Sequence, residues 1–109
     1  MTVQQTVDAL QLKVLCAGDL SREVTGVYCG DLLSWVMGRA PADSAWFSVM
    51  GNVNAIAVCV LADTACVILA EDSPLDEASL ARAEMQGVTV LQSSRNGYQL
   101  CVALHELLK

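Results

Sequence analysis

Trp46-Phe47-Ser48-Val49-Met50-Gly51-Asn52-Val53-Asn54-Ala55-Ile56 is the stretch that decides the fold. An apolar run ends in a small polar turn and opens at once into a second apolar segment, which reads as a strand passing into a helix. The same transition occurs at Val27-Tyr28-Cys29-Gly30-Asp31 followed by Leu32-Leu33-Ser34-Trp35. It recurs at Val88-Thr89-Val90-Leu91-Gln92-Ser93-Ser94 before Tyr98-Gln99-Leu100-Cys101. In a sheet whose strands run parallel, such turns gather at the carboxyl ends of the strands, where ligands commonly bind.

Working outward, Thr2-Val3-Gln4-Gln5 has the form of a capping box, with Val3, Val7 and Leu10 on one helical face. Leu12–Cys16 suits a buried strand, Ala17–Arg22 a loop, and Val24–Cys29 a second strand in which Gly26 marks a bulge or a close backbone approach. Asp31 is placed to cap a helix from Leu32 to Met37 that stops at Gly38. A third strand, Ala45 to Met50, precedes a helix from Val53 to Ala62 that is apolar nearly all round, so burial on more than one side is expected. Ala65–Ala70 is the fourth strand, Asp76 caps a helix that runs through Gln86 and ends at Gly87, Val88–Leu91 is the fifth strand, and a last helix spans Gly97 to Leu108. Strands and helices alternate to the end. The expectation is one α/β domain over residues 1–109, with a mainly parallel sheet of about five strands and helices on its faces.

Composition narrows the function. The chain has 109 residues, 54% of them apolar and 17% charged, against roughly 25% charged in an ordinary domain. A small domain has too much surface to hide that apolar content alone, so a homodimer or a permanent protein partner is expected. Six basic residues stand against twelve acidic ones, and Lys13, Arg22, Arg39, Arg82, Arg95 and Lys109 are scattered. Nucleic acid and anionic membranes are therefore not expected partners, since both need clustered positive charge. The start of the chain carries no signal-peptide pattern, and a cytoplasmic protein is the default. Cys16, Cys29, Cys59, Cys66 and Cys101 form no close pair in sequence, which speaks against a structural metal. Burial as small apolar residues is the plain reading, with Cys29 set apart by its place beside the first turn.

The turns put Asp31, Asn52 and Ser93 or Ser94 at helix N-termini, where free N–H groups favour an anionic or polar ligand, although each is also an ordinary cap. Asn54 follows into an apolar helix, and its amide needs a partner if buried. Gly30 and Gly51 would let a ligand approach the backbone, and Arg22 would neutralise its charge if its loop folded over the site. Trp35 and Trp46 belong to core or interface, and His105 to the surface of the last helix. No P-loop, GxGxxG, HExxH or GxSxG pattern is present, and no carboxylate pair stands out. Catalysis, a cofactor and a metal are accordingly not expected.

Leu20-Ser21-Arg22-Glu23-Val24-Thr25-Gly26-Val27, Gly30-Asp31-Leu32-Leu33-Ser34-Trp35-Val36-Met37, and Asn52-Val53-Asn54-Ala55 with Leu61-Ala62-Asp63 together resemble the DRTGG-domain family, related to the N-terminal domain of HPr kinase/phosphorylase. The resemblance continues through Ala65–Leu69 into the last helix. Ser21 stands where that family typically has an acidic residue before the arginine. The resemblance implies a regulatory, non-catalytic module, and standalone members similar to this one imply a link to hydrogenase or redox metabolism by association. The leading expectation is a ligand-sensing module binding a nucleotide or phosphorylated metabolite through Arg22, Gly30, Asp31, Gly51, Asn52, Asn54, Ser93 and Ser94. The alternative is a protein–protein adaptor without a small ligand, using the apolar helix Val53–Ala62 and the tryptophans.

Overall fold

The computed structural model describes residues Met1 to Lys109. Its elements run α1 (Val3–Leu10), β1 (Lys13–Cys16), β2 (Gly26–Cys29), α2 (Leu33–Arg39), β3 (Ser44–Ser48), α3 (Val53–Ala62), β4 (Cys66–Leu69), α4 (Glu77–Gln86), β5 (Val90–Gln92) and α5 (Gly97–Leu108). The sheet order is β1-β5-β4-β3-β2. Strands β2 to β5 are parallel, and β1 joins the β5 edge antiparallel. The expected α/β domain with a five-stranded, mainly parallel sheet is what forms.

Alternation along the strands sorts the core into two layers. In β3 and β4, Ala45, Phe47, Cys66 and Ile68 face one side, where they meet Val3, Val7 and Leu10 of α1 and Leu100 and Leu104 of α5. Trp46, Val67 and Leu69 face the other, against Val36, Ala55, Ile56, Cys59 and Ala83 from α2, α3 and α4. Every residue of β3 and β4 is buried, as the continuous apolar runs of two-sided strands require. Helices α2, α3 and α4 thus cover one face and α1 and α5 the other. Consecutive connections part company only after β4 and β5: the first leads to α4, the second crosses to α5. A crevice at the carboxyl ends of parallel strands is expected where connections diverge in this way.

Caps fix most helix starts as the sequence indicated. The Thr2 hydroxyl accepts from the Gln5 N–H in a capping box, Asn52 accepts from Ala55 at 2.9 Å, and Asp76 accepts from Ser79 at 2.8 Å. Gly87, at φ 69°, closes α4 in the left-handed conformation that glycine adopts without steric cost.

Several local expectations are corrected. Helix α2 runs through Gly38 to Arg39 and ends at Ala40, because the residue before Pro41 is driven out of the helical region to φ −68°, ψ 123°. No atom crowds Gly26, which simply begins β2 rather than serving a bulge or close approach. Helix α3, by contrast, is buried on more than one side as expected: Ala55, Ile56, Val58 and Cys59 pack among the sheet, α2 and α4, while Val53, Ala57, Val60 and Leu61 stay exposed.

Candidate functional site

The carboxyl edge of the parallel strands gathers Gly30, Asp31, Gly51, Asn52, Ser93 and Ser94, as the turn reading anticipates. Asn52 caps α3 as expected, but the aspartate and the serines do not act as caps. Asp31 does not cap α2, whose N-cap position is Leu32 and has no side-chain cap. Its carboxylate instead accepts from the Ser48 hydroxyl at 2.7 Å and the Val49 N–H at 3.0 Å, tying the ends of β2 and β3 together. Ser93 and Ser94 do not cap α5 either. Asn96 does, in a capping box with Gln99, while the Ser93 hydroxyl accepts from the Arg95 N–H at 3.1 Å and shapes the turn. Asn96 sits three residues before Gln99, a signal as clear as the one at Thr2 and Gln5.

The two glycines serve the backbone. The Gly30 carbonyl accepts from the Trp46 indole N–H at 2.8 Å, holding a fully buried tryptophan in register. Gly51 packs so closely on the Pro74 carbonyl that a β-carbon there would overlap it. Asn54 is exposed on the outer face of α3, so its amide is satisfied by water and needs no buried partner.

Arg22 lies elsewhere. A loop that leads into β2 must sit at the amino edge of the parallel strands, opposite the turns. There its guanidinium bridges Asp43 and Asp63, donating to the Asp43 carboxylate at 2.9 Å, the Asp63 carboxylate at 2.9 Å and the Asp63 carbonyl at 2.6 Å. Asp43 and Asp63 both hold left-handed backbone, at φ 63° and 57°. Arg22 therefore secures two strained turns and stands apart from the carboxyl-edge group.

Three clefts line that carboxyl edge. The central one, about 130 Å³, is walled by Cys29, Asp31, Phe47, Ser48, Glu71 and Gly97 among others. With two carboxylates in its wall it repels anions. At the β2 end, an open cleft of about 460 Å³ is formed by Tyr28, Leu32, Trp35 and Arg39 with the Gly30–Asp31 turn. Trp35 is half exposed, and the Arg39 guanidinium lies 3.7 Å from the centre of its ring, a cation–π pair with a flat surface.

At the β5 end, a cleft of about 230 Å³ is lined by Gln11, Lys13, Asp72, Gln92, Ser93, Ser94 and Arg95. Lys13 and Arg95 are two cations that sequence reasoning passed over because they are 82 positions apart. The antiparallel β1 sets Lys13 opposite Gln92 and so brings it to the serine turn. Neither makes a salt bridge. Beside them the β4–α4 loop places two consecutive non-glycine residues, Glu71 and Asp72, at φ 56° and 55°, a strained arrangement. It is held by Glu71 and Asp72 N–H bonds to the Arg95 and Ser93 carbonyls, each 2.9 Å.

No family model matches the sequence, and no curated protein does. The structure is similar to a crystal structure of the CBS and DRTGG domains of the regulatory region of Clostridium perfringens pyrophosphatase, complexed with its activator diadenosine tetraphosphate. The TM-score is 0.67 at 6% sequence identity, over 94% of this chain and 45% of that one. The chain thus spans under half of that structure, and at this identity the likeness bears on the fold, which is DRTGG-like.

Proposed function

We propose that the chain is a non-catalytic ligand-sensing module that takes a nucleotide or a phosphorylated metabolite at the carboxyl edge. The observation that carries this reading is the meeting of two unpaired cations, Lys13 and Arg95, with Ser93 and Ser94 in one cleft. Two positive charges and two hydroxyls suit phosphate oxygens. The open cleft at Trp35 offers a tryptophan with the Arg39 guanidinium laid over it, two planar groups of the kind on which bases stack. The two clefts flank strands three spacings apart, on the order of 14 Å, a span that an extended phosphorylated nucleotide reaches. The nucleotide activator bound by the pyrophosphatase regulatory region lends support by fold analogy. Asn52, Gly30, Gly51 and Asp31 shape the edge between the clefts, Asn54 lies exposed in the first turn of α3 beside them, and Arg22 lies at the opposite edge.

The test is calorimetric titration of the whole chain with a panel of mono- and dinucleotides carrying different numbers of phosphates. Binding that weakens at least tenfold in Arg95→Glu, and weakens with added salt, is the expected result. Equal affinity in the wild-type chain and Arg95→Glu sinks the placement.

A second reading rests on its own observation. Leu32 and Trp35 of the α2 region and Val53, Val60 and Leu61 of α3 are all exposed, more apolar surface on one side than single scattered residues would leave. On this reading the face is covered by a second copy of the chain or by a protein partner. Sedimentation of the wild-type chain beside Trp35→Asp and Leu61→Asp separates these outcomes, because only a self-associating face loses mass on substitution.

A further inference from the structure

Two of the five cysteines stand apart from the rest. Cys16, Cys59 and Cys66 are buried, and burial pushes the Cys59 and Cys66 thiols up to about 12. Enclosed on every side, these thiols are out of reach of a solvent-borne oxidant. Cys29 is exposed at the carboxyl end of β2, and Cys101 is half-buried on α5. Gly97 is the reason they can meet. A β-carbon at Gly97 would stand 3.6 Å from the Cys29 sulfur, and Cys101 follows one helical turn later on the same face of α5. Burial and, after it, the neighbouring Cys29 thiol raise the Cys101 thiol, so the two groups feel each other.

The geometry points to Cys29 and Cys101 as a dithiol that peroxide oxidises to an intramolecular disulfide in the wall of the central cleft. Cys29, the exposed member, reacts first. Its sulfur attacks one peroxide oxygen, the O–O bond breaks, and Cys29 sulfenic acid and one water form. The Cys101 sulfur then attacks the Cys29 sulfur, the S–O bond breaks, the hydroxyl leaves with the Cys101 proton as a second water, and the S–S bond closes. In sum two thiols lose two electrons and two protons, and one peroxide becomes two waters. No third His, Cys, Asp or Glu joins the pair in a metal-ligating group, so its donor set suits disulfide chemistry better than zinc or an iron–sulfur cluster. Cys29 and Gly97 both wall the central cleft, so the bond pins the first turn of α5 to the end of β2 at that wall.

The experiment treats the fully reduced whole chain with hydrogen peroxide, then alkylates free thiols and maps peptides without reduction. The expected product is a monomeric chain lighter by two hydrogens, with the Cys29 and Cys101 peptides linked and Cys16, Cys59 and Cys66 free. Cys101→Ser should halt at Cys29 sulfenic acid, trapped by dimedone. Three results in the wild-type chain each overturn the proposal: no reaction at Cys29, over-oxidation of Cys29 with Cys101 left free, or a disulfide joining two chains. The wild-type map decides the matter even if the variant fails to fold.

Discussion

Arg22 grips Asp63 twice, at its carboxylate and at its backbone carbonyl, from a position 41 residues earlier in the chain. That pairing joins the loop before β2 to the C-cap of α3, and with Asp43 it laces the amino edge of three neighbouring strands. The two aspartates are largely exposed, so the ion pairs are partly screened. Replacing Arg22 with Ala should lower stability by about 1 kcal/mol in urea titration. Arg22→Lys should recover little, since the single nitrogen of an ammonium lacks the planar fork by which Nε and Nη2 reach Asp43 and Asp63 together. Loss of ligand binding without loss of stability in Arg22→Ala would contradict the placement of Arg22 away from the carboxyl edge.

Gly51 is held against the Pro74 carbonyl. Gly51→Ala must push apart the β3–α3 and β4–α4 loops and should cost about 1–3 kcal/mol, as overpacking does. Gly26→Ala, where no atom lies nearby, is the control and should leave the urea midpoint almost unmoved. Equal midpoints for the two variants would refute the contact.

The Asp76 carboxyl sits below its ordinary range because the Ser79 backbone N–H in the first turn of α4 donates to it. A lowered folded-state value means that the charged cap adds stability above the unfolded value of about 3.9. That contribution disappears as pH falls through the folded value. Asp76→Asn still caps but does not titrate, so its melting temperature should fall less than the wild type's between neutral and acid pH. Parallel acid slopes would show that Asp76 contributes nothing there.

Trp46 is fully buried and Trp35 half exposed. Trp35→Phe should leave blue-shifted emission that iodide does not quench, and Trp46→Phe red-shifted emission that iodide quenches strongly. Shielding of Trp35 that appears only as protein concentration rises would identify the α2 face as the one that associates.

The order of elements was legible because its signals are local: the capping pairs Thr2–Gln5 and Asp76–Ser79, the closing Gly87, and the unbroken apolar runs of β3 and β4. The errors at the site arose where a short polar side chain chose a distant partner over its own backbone. Asp31 has the look of a cap, yet its acceptor sites are taken by Ser48 and Val49 across the sheet. The exposure of Asn54 was not legible, because α3 is so uniformly apolar that periodicity does not say which side faces water. Arg22 was legible in principle, since a residue just before a parallel strand belongs at the amino edge. Lys13 and Arg95 were not legible, because only the antiparallel pairing of β1 with β5 makes them neighbours.

Helix α5 carries a consequence for how the chain is made. The β2-to-β5 units succeed one another in space as they do in sequence, so each can dock on the last as it emerges from the ribosome. Phe47, Ile68 and Leu91, however, are covered by residues of α1 and α5 on their face of the sheet, and α5 follows every strand. Without Gly97–Leu108 in place, a nearly complete sheet presents an apolar flank to solvent, the kind of intermediate most prone to misassociation. A chain cut before Gly97 should therefore self-associate through that flank where the whole chain does not.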